Sequence, residues 1–239
     1  GSIKNENIGS LYREYDRLIS NDSGGASYEA WIKLVEDPST PSDEDVRQSI
    51  LGFKYKPLIS VVMPTYNTDE TFLRECVESV LGQSYSNFEF CIADDASPDP
   101  NVARVVNEYA KFDPRVKFVR RDENGHISRA TNSAIDVASG DYIALLDHDD
   151  MLPKHALYYV VEALNGNPEA KILYSDEDKI DSYGNRSKPH FKSDWNPDLF
   201  YSQNYISHLG VYDAKIVKDI GGVRVGVEGA QDQDLVLRC

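Results

Sequence analysis

The chain has 239 residues, 41% hydrophobic and 27% charged, with a net charge of −15 at neutral pH. This is a globular composition, long enough for one large domain or for one domain with an appendage. The acidic balance, with no basic run or stripe, argues against nucleic acid or an anionic membrane as partner of this segment, and no apolar run reaches the about 20 residues that cross a bilayer.

In chain order, Gly1-Ser2 without a starting Met has the look of a tag-cleavage scar, and Ile3-Lys4-Asn5-Glu6-Asn7 offers no apolar stretch of signal-peptide type. Leu11, Tyr15, Leu18 and Ile19 fall at helical spacing. A second short helix carries Tyr28, Trp31, Ile32 and Val35, and Pro38-Ser39-Thr40-Pro41 breaks the pattern. Residues 1–56 therefore read as a helical appendage with its linker, and 57–239 as the main domain. Cys76, Cys91 and Cys239 are odd in number and widely spaced, which suits a reducing cytosol. The glycosylation sequons at Asn21 and Asn185 are discounted accordingly.

From Pro57 strands and helices alternate. Leu58–Met63, Phe88–Ala93, Val116–Val119, Tyr142–Leu146 and Lys171–Tyr174 read as strands. Helical faces lie between them, among them Leu73, Val77, Val80 and Leu81, then Val102, Val105 and Val106, then Ala130, Ala134 and Val137. This order predicts an α/β fold whose mostly parallel central sheet is flanked by helices, with ligands outside the carboxyl ends of the strands. Polar residues gather there. Pro64-Thr65-Tyr66-Asn67 follows the first strand, Asp94-Asp95 the second, Asn124-Gly125-His126 the third, and Asp147-His148-Asp149-Asp150 the fourth. Each alone would pass for a loop or helix cap, but together they point to a site. Carboxylates this close raise one another's pKa, and hard oxygen donors suit Mg²⁺ or Mn²⁺, the ions that bind substrate phosphates. The plain alternative for the acidic cluster is a solvated turn capping the next helix.

The first strand is followed by neither a glycine-rich turn nor a Gly-Lys-Ser/Thr phosphate loop, so neither a dinucleotide site nor a P-loop fits. The strand and loop 59–67, Asp94-Asp95-Ala96-Ser97, Asn124-Gly125, the Asp-x-Asp cluster and Gly229-Ala230-Gln231-Asp232-Gln233-Asp234-Leu235 together resemble the GT-A-fold, family 2 glycosyltransferases that build bacterial polysaccharides and glycans. The resemblance covers about residues 56–239. It implies a GT-A nucleotide-diphospho-sugar transferase fold. It also implies that Pro64, Thr65, Tyr66 and Asn67 line the base pocket, that Asp95 meets a pyrimidine with Asp94 bracing it, and that Asn124, Gly125 and His126 border base and ribose. Arg129 faces the same crevice. Asp149 falls on the metal, Asp147 on the metal and towards the ribose, and Asp232 becomes the base that deprotonates the acceptor hydroxyl. Without the resemblance, Asp232 reads first as a cap that meets the dipole of the helix carrying Leu235, Val236 and Leu237.

Asp176, in the second acidic cluster 175–179, Trp195 and Gln231 are candidates for the sugar or acceptor side, against the alternatives of a solvated loop and packing. His208 lies in an apolar stretch and reads as a core histidine, against the alternative that it serves the pocket. The expected activity is inverting, Mn²⁺- or Mg²⁺-dependent transfer of a sugar from a UDP- or dTDP-sugar to a hydroxyl of a growing glycan or lipid-linked glycan. Two alternatives stand beside it: an inactive nucleotide-sugar-binding domain of a larger protein, and a metal-dependent nucleotidyltransferase. Relatives in the family continue past the Gln-Asp segment, so the acceptor side is expected to be cut short at Cys239, and the protein to act in the cytoplasm or peripherally at the inner face of the membrane.

Overall fold

A computed structural model describes residues 25–239, the side chains from Tyr28 onward. The helix expected around Leu11 to Ile19 lies outside the described residues. The chain divides into two compact units, one of Val46–Ser175 with Ser193–Cys239, the other of Gly1–Asp45 with Asp176–Lys192. The division falls at Asp45/Val46, where the sequence reading set it after residue 56.

In the smaller unit, helix α1 (Gly25–Trp31) runs through a π-helical turn at Ile32–Glu36 into α2 (Asp37–Ser39). The later segment adds a hairpin of β6 (Glu177–Ile180) and β7 (Arg186–His190), so the second acidic cluster runs into a strand. Its charges are used internally. Arg186 pairs with Glu36 and with Asp178, whose Oδ2 also accepts the Tyr28 hydroxyl at 2.6 Å. Burial, with help from Asp178, pushes the Tyr28 phenol up to about 12. Trp31 packs on Phe191 with ring centres 4.7 Å apart.

The larger unit opens with the end of α3 (Asp43–Gly52), then β1 (Ile59–Thr65), α4 (Glu70–Leu81), β2 (Phe88–Asp94), α5 (Asn101–Phe112), β3 (Val116–Arg120), α6 (His126–Val137), β4 (Tyr142–Leu145), α7 (Ala156–Gly166) and β5 (Ile172–Tyr174). After the hairpin come α8 (Pro197–Ser202), β8 (Gly210–Asp213), α9 (Ala214–Asp219) and α10 (Gln231–Arg238). The sheet order is β3-β2-β1-β4-β8-β5. The first four strands are parallel, as crossover helices require. β8, which periodicity did not reveal, pairs antiparallel with both β4 and β5 and so separates them. The apolar runs of β1 and β2 are buried because helices cover both faces: Leu73, Val77, Val105 and Leu157 pack on one side, Ala134, Ile135, Val217 and Leu235 on the other. Among the described residues no helix is long and apolar enough to cross a membrane.

At the amino edge of this sheet sits a buried polar knot. Glu89 accepts the Ser60 hydroxyl at 2.7 Å and the Ser139 hydroxyl at 2.8 Å and pairs with Lys117 at 2.6 Å, while Ser60 accepts the Gly140 amide at 2.9 Å. Burial alone would raise this carboxyl; Lys117, the Ser139 amide and the two hydroxyls outweigh it and bring it down to about 2. The knot joins β1, β2, β3 and the turn into β4. Since the folded pKa is depressed, its stabilisation is present above the unfolded glutamate value and lost as pH falls towards 2. Glu89→Ala is expected to cost about 3 kcal/mol in denaturant unfolding at pH 7, and the gap from the parent should narrow between about pH 4.5 and 2.

Candidate functional site

The parallel pairing brings the ends of β1, β2 and β4 to one edge, with Thr65 opposite Asp94 and Val62 opposite Leu145. Immediately beyond, the backbone is bent into left-handed conformations at non-glycine residues: Asn67 (φ 52°), Ala96 (φ 59°) and His126 (φ 61°). Such conformations cost of order 1 kcal/mol each and persist where surrounding bonds enforce them. Here the bonds are present. The Asn67 amide donates to Ser97 Oγ at 2.8 Å, the Asp95 amide to the Thr65 carbonyl at 2.9 Å, and the Asn124 side chain to the Asp95 carbonyl at 3.3 Å.

Asp94 and Asp95 are both buried at this edge. Asp94 accepts the Ser97 amide at 3.0 Å and lies 3.4 Å from Arg120 Nε. The Asp95 carboxylate receives the Gly125 amide on both oxygens, at 3.0 and 3.1 Å, and meets Arg121 Nε at 2.8 Å. Gly125 starts α6, so Asp95 ties the ends of β2 and β3 to the head of that helix. A side chain at Gly125 would lie 2.6 Å from Arg129 Cδ and 2.7 Å from Arg121 Nη2. A cavity of about 460 Å³ opens here, lined by Ala96, Ser97, Pro98, Arg120, Arg121 and Asp122. A larger one, about 650 Å³, lies at the other end of the sheet around Asp141, Lys171 and Asp213, where the three aspartates and three lysines of its lining balance. The smaller cavity is the one beside the convergent polar groups.

The acidic cluster forms the middle of the edge. Donor atoms of Asp147, Asp150 and His208 lie within 4.8 Å of one another, and His208 Nε2 is 3.5 Å from Asp147 Oδ2. Sheet register explains the meeting. β4 and β8 pair antiparallel with Leu145 opposite Gly210, and continuing that register two residues outward sets Asp147 opposite His208. His208 is therefore half-buried beside the acidic cluster rather than in the core; placing it there required β8. Asp149, on which the resemblance places the ion, stands apart, 62% exposed and 3.9 Å from His148 Nδ1. Two carboxylates and an imidazole form a donor set that fits Mn²⁺ or Mg²⁺.

Asp232 lies in the first turn of α10 without capping it; Ala230 holds the cap position with no side-chain bond. The Asp232 carboxylate instead accepts from Gln231 Nε2 at 3.1 Å, and Gln231 in turn accepts the Gly229 amide. Burial, and after it the Asp147 charge, hold the Asp232 carboxyl above the usual carboxylate range, opposed by His208 and the Gln231 bond. Asp234, by contrast, is consumed in ion pairs with Arg238 (2.7 Å) and Arg224 (3.0 Å). The preceding glycine-rich loop is fastened to α6 by paired 2.8 Å bonds between the Asn132 amide group and the Val223 backbone.

Of the remaining expected residues, Thr65 is buried and bonded to Thr68 at 2.7 Å, Pro64 is half-buried, and Tyr66, Asn67, Asn124, His126 and Arg129 are exposed along the same edge. Trp195 is exposed beside α8. Asp176 belongs to the smaller unit, where it accepts the Lys192 amide at 2.7 Å.

Residues 60–221 match the model of Glycosyl transferase family 2. The chain belongs to this family. It is 58% identical over 228 residues to an uncharacterised protein, y4gI, of Sinorhizobium fredii, and 38% identical over 213 residues to the O-antigen biosynthesis protein RfbC of Myxococcus xanthus. These alignments cover 94% and 89% of the chain but 25% and 16% of the relatives, so the chain spans a quarter or less of their length. Among solved structures, S. aureus TarS 1–349 in complex with UDP-GlcNAc superposes with a TM-score of 0.60 at 21% identity, covering 75% of this chain and 52% of that one. The mannosyltransferase PcManGT of Pyrobaculum calidifontis, in complex with GDP-Man and Mn²⁺, gives 0.58 at 19% identity, over 95% and 59%. The fold is that of the GT-A glycosyltransferases.

Gly125→Ala tests the clamp at Asp95. The added methyl forces Arg121 and Arg129 aside, so unfolding stability is expected to drop by about 1–3 kcal/mol in urea; an unchanged midpoint would mean both arginines swing away freely.

Proposed function

We propose that this family 2 domain transfers a sugar from a nucleoside-diphosphate sugar, UDP- or dTDP-linked, to a hydroxyl of a growing glycan, with inversion at the anomeric carbon. The observation that carries the reading is the convergence of Asp147, Asp150 and His208 beside Asp232, at the edge whose neighbouring strand ends form the Asp95 clamp. Membership of the family, the O-antigen relative and the UDP-GlcNAc and Mn²⁺ complexes of similar folds support it.

Asp147, Asp150 and His208 would hold Mn²⁺ or Mg²⁺, with Asp149 at their margin. When bound, the ion supplies positive charge for the departing diphosphate. The chain's own residues do the rest. The strand ends at Thr65–Asn67, Asp94-Asp95 and Asn124–His126, with Arg129 on the following turn, receive base and ribose, and Asp95, fixed by Gly125 and Arg121, orients the base. Asp232 accepts the proton of the acceptor hydroxyl as that oxygen attacks the anomeric carbon in line with the leaving diphosphate. Its raised pKa makes it a stronger base than a free carboxylate, and Gln231 fixes its orientation.

Calorimetry with UDP, dTDP, GDP and CDP, each with and without Mn²⁺, checks the donor side. A pyrimidine diphosphate is expected to bind with Mn²⁺ and at least tenfold more weakly without it; equal affinity without metal would overturn the metal assignment. Asp147→Asn and Asp150→Asn should each remove most of the Mn²⁺ dependence, and Asp149→Asn less.

Asp232→Asn in the full-length protein is expected to lower transfer by at least about 10²-fold while leaving nucleotide affinity intact. Unimpaired transfer would return Asp232 to a structural role.

A further inference from the structure

Trp195 is 55% exposed, yet its ring is backed by two buried aromatic side chains. Its ring packs on Phe200 with centres 5.3 Å apart and on Tyr205 at 6.5 Å, and both of those residues are 1% exposed. The backbone on either side is pinned by aromatic hydroxyls: Tyr174 donates to the Ser193 carbonyl at 2.8 Å, and the Asn196 amide donates to Tyr205 Oη at 2.8 Å. Asn196 then caps α8 by accepting the Leu199 amide at 3.0 Å. A tryptophan needed only for packing would turn its faces inward; this one is backed by two buried rings and leaves more than half its surface to solvent.

Its place along the sheet edge separates it from the nucleotide. Asp95 follows β2, Asp147 follows β4, and Tyr174 ends β5, the outermost strand on the far side. From β2 to β5 there are four strand spacings, about 19 Å, and the segment carrying Trp195 is tied to the β5 end through Tyr174. It is nevertheless coupled to the reacting centre. The Phe200 carbonyl accepts Gln233 Nε2 at 2.7 Å, next to Asp232, and Tyr205 stands three residues, at most about 11 Å of chain, before His208. The order along the edge is thus base clamp, metal-type donor cluster with Asp232, aromatic platform.

From this we infer that Trp195 is a binding platform for a neutral pyranose ring of the sugar acceptor. The C–H face of a pyranose carries slight positive charge and fits the negative face of an indole. Asp194 and Asp198, exposed and flanking Trp195 in the sequence, can accept sugar hydroxyls and disfavour an anionic acceptor. The inference rests on the glycosyl-transfer reading above, with Asp232 as the group facing the acceptor.

Trp31 and Trp195 are the two tryptophans of the chain, so Trp31→Phe leaves Trp195 as the sole indole reporter. With UDP and Mn²⁺ present, its emission is followed while cellobiose, maltose, lactose, chitobiose and α-mannobiose are added in turn, with glucose 1-phosphate as the anionic control. A saturable change with at least one neutral disaccharide and none with the control is expected. In the parent chain, Trp195→Ala should weaken calorimetric affinity for that disaccharide by about tenfold, Trp195→Phe by less than about threefold, and neither should alter UDP affinity. Emission blind to every neutral disaccharide, or undiminished binding by Trp195→Ala, overturns the platform while UDP binding stands. Absence of UDP binding in the parent overturns the donor-site reading instead, and the emission titration still decides for or against Trp195.

Discussion

Like charges crowded into a partly desolvated edge are the constraint around which this fold is organised. Asp147 and Asp150 come within reach of a single imidazole, burial and after it the Asp147 charge raise the Asp232 carboxyl, and even the buried Cys76 thiol is pushed up, first by burial and then by Asp150, Asp149 and Asp147. A protein under selection for stability alone would disperse these groups. On the reading proposed above, a cation would offset this crowding, which ties the acidic cluster, the imidazole and the half-buried Asp232 of α10 into one account.

The two ends of the sheet treat charge in opposite ways. At the amino edge Glu89 is fully answered by Lys117, two serines and an amide, and its pKa falls. At the carboxyl edge Asp95 is likewise answered, by Gly125 and Arg121, but its neighbours at β4 are left to accumulate. The satisfied pairs lock strand ends and helix starts into place beside the acidic cluster. Left-handed backbone at Asn67, Ala96 and His126 marks the same edge, consistent with loops shaped for a ligand rather than for relaxed turns.

Much of this was legible in the sequence. Apolar runs alternating with helical faces placed β1 to β4 and their crossover helices, and the parallel rule then collected Thr65, Asp95, Gly125 and Asp147 at one edge. Three features escaped for physical reasons. β8 is four residues long, and its Gly210-Val211-Tyr212-Asp213 has too little alternation to announce a strand. Without β8 the register that sets His208 opposite Asp147 was invisible, so the histidine read as core. The hairpin after β5 was not legible because the partner that anchors Arg186, Glu36, lies far away in sequence. The Asp-x-Asp spacing pointed to this cluster, and side-chain direction rather than spacing selects which of its carboxylates converge.

The most direct test of this account is the position of manganese. Crystals of the protein grown with UDP and Mn²⁺, measured at the manganese absorption edge, locate the ion by its anomalous signal. The account expects a peak coordinated by Asp147, Asp150 and His208, with the diphosphate on its open side and Asp232 facing away from the nucleotide. A peak bound by Asp149 with His208 turned away, or UDP seated with no anomalous peak at all, would contradict it.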